Sequence, residues 1–314
     1  MRDANPGPVY LETYRSGRLK EKIRIAWERM KACTLCPRSC RVDRLRSNTL
    51  GICNTGREAW VSSFQRHFGE EAPLVGRHGS GTIFFTFCNL KCNFCQNYDI
   101  SHDGAGEPVT DTQLADMMLA LQQAGCHNIN LVTPSHVVPQ ILSALEKAIA
   151  SGLCVPLVYN SSAYDNPQTL KLLDDVIDIY MPDFKFWNDR LADATCQAPD
   201  YPEVARRAIV EMQRQVGDLA IDEDGIAKRG LLIRHLVLPR GSAGTRNIMR
   251  FIYRNVSPGA YVNIMPQYRP CGKAYEVPEL ATSLSDKEFD QALQEAREEG
   301  ITRLDSPRRT FLLW

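Results

Sequence analysis

Residues Gly79–Asn97 read GSGTIFFTFCNLKCNFCQN, and the fold turns on how this stretch is read. The run Thr82–Phe87 is short, apolar and rich in β-branched and aromatic residues, as a buried strand is. It leads straight into Cys88, Cys92 and Cys95, separated by three and then two residues. Three thiolates on one short loop wrap one corner of an iron–sulfur cube, whereas an ordinary four-iron cluster takes four. One iron would stay open to another ligand. Ferredoxin runs carry four cysteines, and structural zinc sites pair one Cys-x2-Cys with a second pair; CNLKCNFC fits neither by itself.

Downstream the chain keeps a strand–helix rhythm. Apolar runs at Ile129–Val132, Val155–Tyr159, Val176–Met181, Leu231–Leu238 and Ala260–Met265 predict strands buried on both faces. Between them, one-sided apolar patterns predict helices: Leu114, Met117, Met118 and Leu121, then Ile141, Leu145, Ala148 and Ile149, with shorter examples up to Phe289 and Leu293. Asn166-Pro167 reads as a cap followed by a first-turn proline, and Ser285 with Glu288 as a capping box. Six strands alternating with helices predict a parallel sheet curved into a barrel or partial barrel. Asp222–Lys228, DEDGIAK, reads as a polar, mobile turn.

Upstream, residues 1–16 read as an extended lead and Arg18–Lys31 as an amphipathic helix. A second cysteine group follows: Cys33, Cys36, Cys40 and Cys53. Four sulfurs make a closed set, typical of structural zinc or of an electron-transfer cluster, and the sequence leaves these two open. The interleaved Arg38, Arg41, Arg44 and Arg46 offset an anionic centre, although each by itself reads as a solvated loop residue. A short strand, Ala59–Phe64, leads out. The expected organisation is residues 1–66 as helix and four-cysteine module, 67–275 as the strand–helix domain, and 276–314 as a helix and tail packed on it.

Bulk properties exclude several classes. The 314 residues carry 37 basic and 37 acidic side chains, so nothing points to nucleic acid or an anionic membrane as a partner. No signal-peptide core and no apolar run of about 20 residues is present, which predicts a cytoplasmic protein with no membrane span. Eleven cysteines in a reducing compartment point to metal rather than disulfides. Cys126 and Cys154 read as core, while Cys271 follows the last strand and is a candidate for function.

With Cys88-x3-Cys92-x2-Cys95 and Phe94 just before the last cysteine, the chain resembles the radical SAM superfamily. Within it the chain is most similar to pyruvate formate-lyase activating enzyme-like (PflX-like) proteins. YMPDFKFW (180–187) resembles their Asp-x-Lys strand, RHLVLPRG (234–241) their late strand, and YNSSAYD (159–165) sits where they carry a Thr-Asn-Gly turn. The resemblance covers roughly residues 20 to 270 and implies an α/β fold with a partial (β/α)6 parallel barrel. It implies a [4Fe–4S] cluster on Cys88, Cys92 and Cys95 whose fourth iron binds S-adenosylmethionine (SAM), beside an N-terminal cysteine element. It also implies a one-electron reductant such as a ferredoxin or flavodoxin.

In such a fold reactive residues gather at the carboxyl ends of the strands. That places Thr133, Ser135, Asn160, Asp183 and Lys185, with Phe94, as candidates for SAM binding. His136, His235, Tyr268, Arg269 and Cys271 are candidates for catalysis or substrate binding. Ser135 also reads as a plain helix cap, and of Arg234 and His235 only one points inward. Many members hold the SAM amino group with Gly-Gly-Glu after the second strand; here the sequence is Thr133-Pro134-Ser135-His136. The expected reaction is hydrogen abstraction by a SAM-derived radical, from a glycyl residue of a partner protein or, alternatively, from a small molecule or another protein site. A non-catalytic iron–sulfur electron carrier is the alternative from another class.

Overall fold

The strand–helix rhythm builds a sheet of ten strands in the computed structural model, which describes residues 7–46 and 51–305. The strands are β1 (Ala59–His67), β2 (Ser80–Phe85), β3 (Glu107–Val109), β4 (Ile129–Val132), β5 (Leu157–Ser161), β6 (Ile179–Pro182), β7 (Ala220–Ile221), β8 (Ala227–Leu236), β9 (Tyr261–Met265) and β10 (Arg303–Leu304). Their order is β10-β9-β8-β6-β5-β4-β2-β1-β3, with β7 paired to β8. The six strands expected from sequence lie side by side, in chain order and parallel, while β1, β3 and β7 pair antiparallel. The fold is mixed α/β with a mostly parallel central sheet.

Alternation along the strands sends side chains to two different environments. Tyr159, Tyr180, Leu231 and Ile233 join the main core with the helices. Val158, Ile179, Met181 and Leu232 turn the other way and pack with Leu74, from the short helix Ala72–Val75. Burial on both sides explains why these strands read as unbroken apolar runs. It also explains their placement, since each fully buried aliphatic side chain contributes roughly 1.5–3 kcal/mol. The segment between β1 and β2 thus lies against the face that Asn160, Asp183 and Arg234 share, and it brings Glu70 and Glu71 to them.

The caps form as expected: Asn166 accepts from Gln168 N at 2.9 Å, and Ser285 with Glu288 makes a reciprocal box. Other expectations change. The lead expected to be extended contains a helix, Tyr10–Arg15, too short for its period to be visible. It is fixed by tertiary bonds: Tyr10 Oη donates to Val155 O at 2.8 Å and Thr13 Oγ1 to Asp175 O at 2.7 Å. The turn Asp222–Lys228 is tied, not loose, because Asp222 Oδ1 accepts from Ile226 N at 2.8 Å and Asp222 pairs with Lys228 at 3.0 Å. Cys126 is buried, but Cys154 is exposed at the approach to β5. No helix among the described residues is long and apolar enough to cross a membrane.

Candidate active site

Cys88, Cys92 and Cys95 sit on the loop that leaves the carboxyl end of β2. Its path is unusual: Phe87 and Lys91 take positive φ values of 67° and 55°, a conformation that the surroundings must hold in place. Phe87 N donates to Ile100 O at 2.9 Å, and Asn89 Nδ2 to Tyr164 O at 2.7 Å. Asn93 N donates to Thr195 O at 2.8 Å, while Asn93 O accepts from Lys273 N at 2.7 Å. Gly272, at φ 53°, lies so close that any side chain would strike Tyr98 and the Asn93 carbonyl. The loop Pro270–Lys273, with Cys271 in it, therefore covers the middle of the cysteine loop. Phe94 is buried, its ring 5.8 Å from that of Phe186 and 6.1 Å from that of Tyr268.

The donor set suits an anionic iron–sulfur centre. Burial pushes the Cys88 thiol up to about 12, helped by the neighbouring Cys92 and Cys95, so the three sulfurs influence one another. Cys92 is raised mainly by a hydrogen bond with the Cys196 thiol and then by burial, and Cys95 mainly by burial. Against this, backbone N–H groups of Leu90 and Lys91 point at Cys88, and those of Asn97 and the Ser101 hydroxyl at Cys95. The Leu90 N–H lies 3.3 Å from Cys88 Sγ. Such donors favour the thiolate, the form in which cysteine holds cluster iron. Among the described residues no three His, Cys, Asp or Glu side chains surround a single ion position. A cube has no such need, since each thiolate holds a different iron.

Beside this loop lies a row of half-buried charges, with Glu71 buried among them. Asp183 accepts from Arg234 Nε and from Lys185 Nζ, each at 2.7 Å. Arg234 Nη2 donates to Asn160 Oδ1 at 2.7 Å, and Nη1 lies 3.6 Å from Glu70 and 3.9 Å from Glu71. Glu71 in turn accepts from Asn263 Nδ2 at 2.8 Å. Burial works against the Asp183 carboxylate, but Arg234 and Lys185 outweigh it and hold its pKa below the usual value. For Glu71 burial wins over Arg234, and its carboxyl is pushed up to about 7. The charge of Cys92 reaches Lys185, which links the row to the cysteine loop. Asn160, Asp183 and Lys185 are thus brought together through Arg234.

The other candidates are placed differently. Thr133 turns the chain after β4 at φ 61°, its N–H bonded to Asn160 O at 2.9 Å. Ser135 caps no helix, since Val137 holds the N-cap position; its hydroxyl is buried beside Tyr159 and Asp165 without a hydrogen bond of normal geometry. His136 is buried and donates from Nε2 to Thr86 O at 3.0 Å, at the base of the cysteine loop. Burial, then Arg44, lowers its pKa to about 3, so it is neutral at ordinary pH. His235 lies on the opposite face from Arg234, between Phe184 O at 2.8 Å and Thr245 Oγ1 at 2.9 Å, with burial lowering it to about 4. Both partners are structural, so it is Arg234 that points to the charged row. Tyr268 spends its hydroxyl on Leu280 O at 2.6 Å, and Arg269 is exposed.

The four N-terminal cysteines influence one another, since burial raises the Cys36 thiol first and Cys53, Cys33 and Cys40 raise it further. Here too, among the described residues, no three of them surround a single ion position. Two arginines expected to be solvated are not. Arg44 is 2% exposed and donates to Thr55 O at 2.7 Å and His136 O at 2.9 Å, with Nη1 3.6 Å from Cys33 Sγ. Arg38 reaches the catalytic-side loop itself, at Asn89 O and Leu90 O. Sequence reasoning missed these two arginines, Glu70, Glu71 and Cys196. The arginine run was visible, but no periodicity reveals which of its members faces inward.

Comparison with known proteins agrees with this geometry. The model of the Radical SAM superfamily matches residues 82–217, which begin in β2 and include the three-cysteine loop and the Asp183–Lys185 pair. The chain belongs to the radical SAM superfamily, whose members are enzymes using a [4Fe–4S] cluster and SAM for radical chemistry. It is also similar to an uncharacterized protein, MJ0674, of Methanocaldococcus jannaschii. The two are 32% identical over 292 residues, covering 90% of this chain and 80% of that one.

Proposed function

We propose that this chain is an activating-enzyme-like radical SAM oxidoreductase that takes a hydrogen atom from a glycyl residue of a partner protein. Cys88, Cys92 and Cys95 hold the [4Fe–4S] cluster, and the carboxyl ends of the strands form a partial (β/α)6 barrel around SAM. When bound, the cluster supplies the electron that cleaves the SAM sulfonium to methionine and a 5′-deoxyadenosyl radical, the species that removes the hydrogen. The chain's own residues bind and orient. Asn160, Asp183, Lys185 and Arg234 offer paired charges for an amino acid zwitterion, Thr133 and Ser135 line the turn after β4, and Phe94 gives the adenine a flat apolar neighbour. Cys33, Cys36, Cys40 and Cys53 hold a second centre, zinc or a second [4Fe–4S] cluster. A ferredoxin or flavodoxin in the cytoplasm serves as reductant.

The observation that carries this reading is the three-thiol loop at the end of β2, ringed by backbone donors and adjoining the Asp183–Lys185 pair. The Asp-x-Lys element favours a glycyl target. Anaerobically reconstituted protein incubated with SAM and dithionite releases 5′-deoxyadenosine; none from iron-replete protein would sink the radical reading. Deuterium carried from labelled candidate substrates into that nucleoside identifies the donor, and a small-molecule donor would replace the glycyl assignment.

A further inference from the structure

The N-terminal module and the three-cysteine loop are far apart in sequence but share one residue. Arg38 lies two residues after Cys36, in a tight turn where Ser39 N donates to Cys36 O at 3.1 Å and Ser39 and Arg41 take φ values of 42° and 55°. Its own backbone N–H points at the Cys36 thiol. Its side chain leaves the module altogether. Nε donates to Asn89 O at 3.0 Å and Nη2 to Leu90 O at 3.1 Å, the two carbonyls that directly follow Cys88. Nη2 also donates to Cys196 O at 2.6 Å, and Nη1 to Gln197 O. One guanidinium thus closes on four carbonyls, two from the cysteine loop and two from the end of the helix Asp189–Cys196. The ring of Tyr164, whose carbonyl holds Asn89, lies 5.3 Å beneath it.

A guanidinium is suited to this. Its donors lie in a rigid plane and span several acceptors at once, and its charge strengthens each bond; an ammonium on a flexible stem does neither. The carbonyls it grips belong to the residues between Cys88 and Cys92, next to Lys91, whose positive φ needs external support. Thr195, just before Cys196 at the other end of the grip, accepts from Asn93 N, directly after Cys92, at 2.8 Å. The side chain therefore bears on both ends of the Cys88–Cys92 segment.

We propose that Arg38 is a positioning residue through which the occupied four-cysteine module holds the Cys88–Cys92 segment in its cluster-binding shape. The inference rests on the proposed function for the presence of both centres and holds whether the module carries zinc or iron. The metal fixes the Cys36–Cys40 turn, the turn aims Arg38, and Arg38 braces the loop. Loss of the module's metal then loosens the catalytic cluster without any change at its own ligands.

The test compares reconstituted wild type with Arg38→Ala, Arg38→Lys, Cys36→Ala and the Cys36→Ala/Arg38→Ala double variant. The readouts are bound iron and zinc, the rate at which EDTA strips iron, and the electron paramagnetic resonance spectrum of the dithionite-reduced protein. Cys92→Ala protein supplies the signal of the module alone, which is subtracted. Arg38→Ala should lose catalytic-site iron about tenfold faster, the least that a lost charge-assisted bond predicts, and its reduced-cluster spectrum should shift. Cys36→Ala should match it in both respects, and the double variant should go no further, because the two changes break one connection. Arg38→Lys keeps the charge and loses the fork, so it should also release iron faster; it decides the matter if Arg38→Ala fails to fold. Wild-type rates and spectrum in Arg38→Lys, or additive effects in the double variant, overturn the inference. Wild-type protein that takes no iron at the three cysteines overturns the proposed function instead.

Discussion

Replacing Asp183 by Asn tests the charged row most directly. The carboxylate accepts from Arg234 Nε and Lys185 Nζ, both at 2.7 Å, and the three side chains are 14%, 16% and 17% exposed. Asparagine keeps the size but offers one acceptor oxygen and no charge. Breaking one partner out of a buried pair costs about 3–5 kcal/mol, because the cations stay behind uncompensated. Glu70 and Glu71, at 3.6 and 3.9 Å, still face Arg234, so the lower end, about 3 kcal/mol, applies. With about 2.1 cal/mol/K of unfolding entropy per residue, a chain of this length melts about 5 °C lower. Scanning calorimetry of both proteins at one scan rate and pH 7 measures the difference. The lowered pKa of Asp183 sets the sign with pH: the carboxylate's contribution is complete above its unfolded value of 3.8 and is lost as pH falls through the lower folded value. The Asp183 carboxylate itself therefore adds no slope to the gap from pH 5 to 8 and is lost only in strong acid; any slope near pH 7 belongs to Glu71, which shares Arg234 with it. A shift below about 1 °C at pH 7 would show that the row is solvated rather than buried.

Cys92→Ala should abolish both the catalytic iron and release of 5′-deoxyadenosine, read by iron assay and chromatography; residual product would mean that the cluster is held elsewhere. Cys36→Ala should cost the protein either zinc or about four irons per chain, and elemental analysis then names the module's metal. Glu71→Gln should gain on wild type as pH rises from about 4.5 to 7. Over that window the folded chain keeps a proton that the unfolded chain gives up, so wild type loses up to about 3 kcal/mol that glutamine does not. Parallel melting curves at pH 5 and pH 8 would contradict this. His136 and His235 should show no imidazole titration by NMR between pH 5 and 8, because burial keeps both neutral; a midpoint near 6.5 for either would place it in water.

How far the sequence could be read followed from which interactions are local. The six parallel strands were legible because burial on both faces writes apolar runs into the chain, and β4 was placed to the residue. The three-cysteine loop was legible because its ligands are neighbours. Asp183 and Lys185 are legible as a pair two residues apart, yet the partner that organises them, Arg234, lies 51 residues beyond Asp183, where alternation says only that it and His235 face opposite ways. Edge strands β3, β7 and β10 are two or three residues long and leave no period to detect. Arg38 and Arg44 read as solvated because a loop arginine looks the same in sequence whether its acceptors are water or distant carbonyls.

The segment between β1 and β2 shows why the site is built as it is. In a mostly parallel sheet the strand ends near Asn160, Asp183 and Arg234 face a space that the strands do not fill themselves. Leu74 fills part of it, packing with Val158, Ile179, Met181 and Leu232, and Asn128 Nδ2 fastens the segment by donating to Leu74 O at 2.9 Å. That anchor delivers Glu70 and Glu71 to Arg234. One of the two carboxyls, Glu71, is then pushed by burial toward its protonated form. A proton taken up there removes a negative charge that Arg234 would otherwise share with Asp183. The guanidinium then answers mainly to Asp183, Asn160 and Glu70. The apolar floor and the charged row are thus parts of one arrangement: Leu74 sets the depth at which Glu71 sits, and that depth sets how much positive charge Arg234 presents at the strand ends.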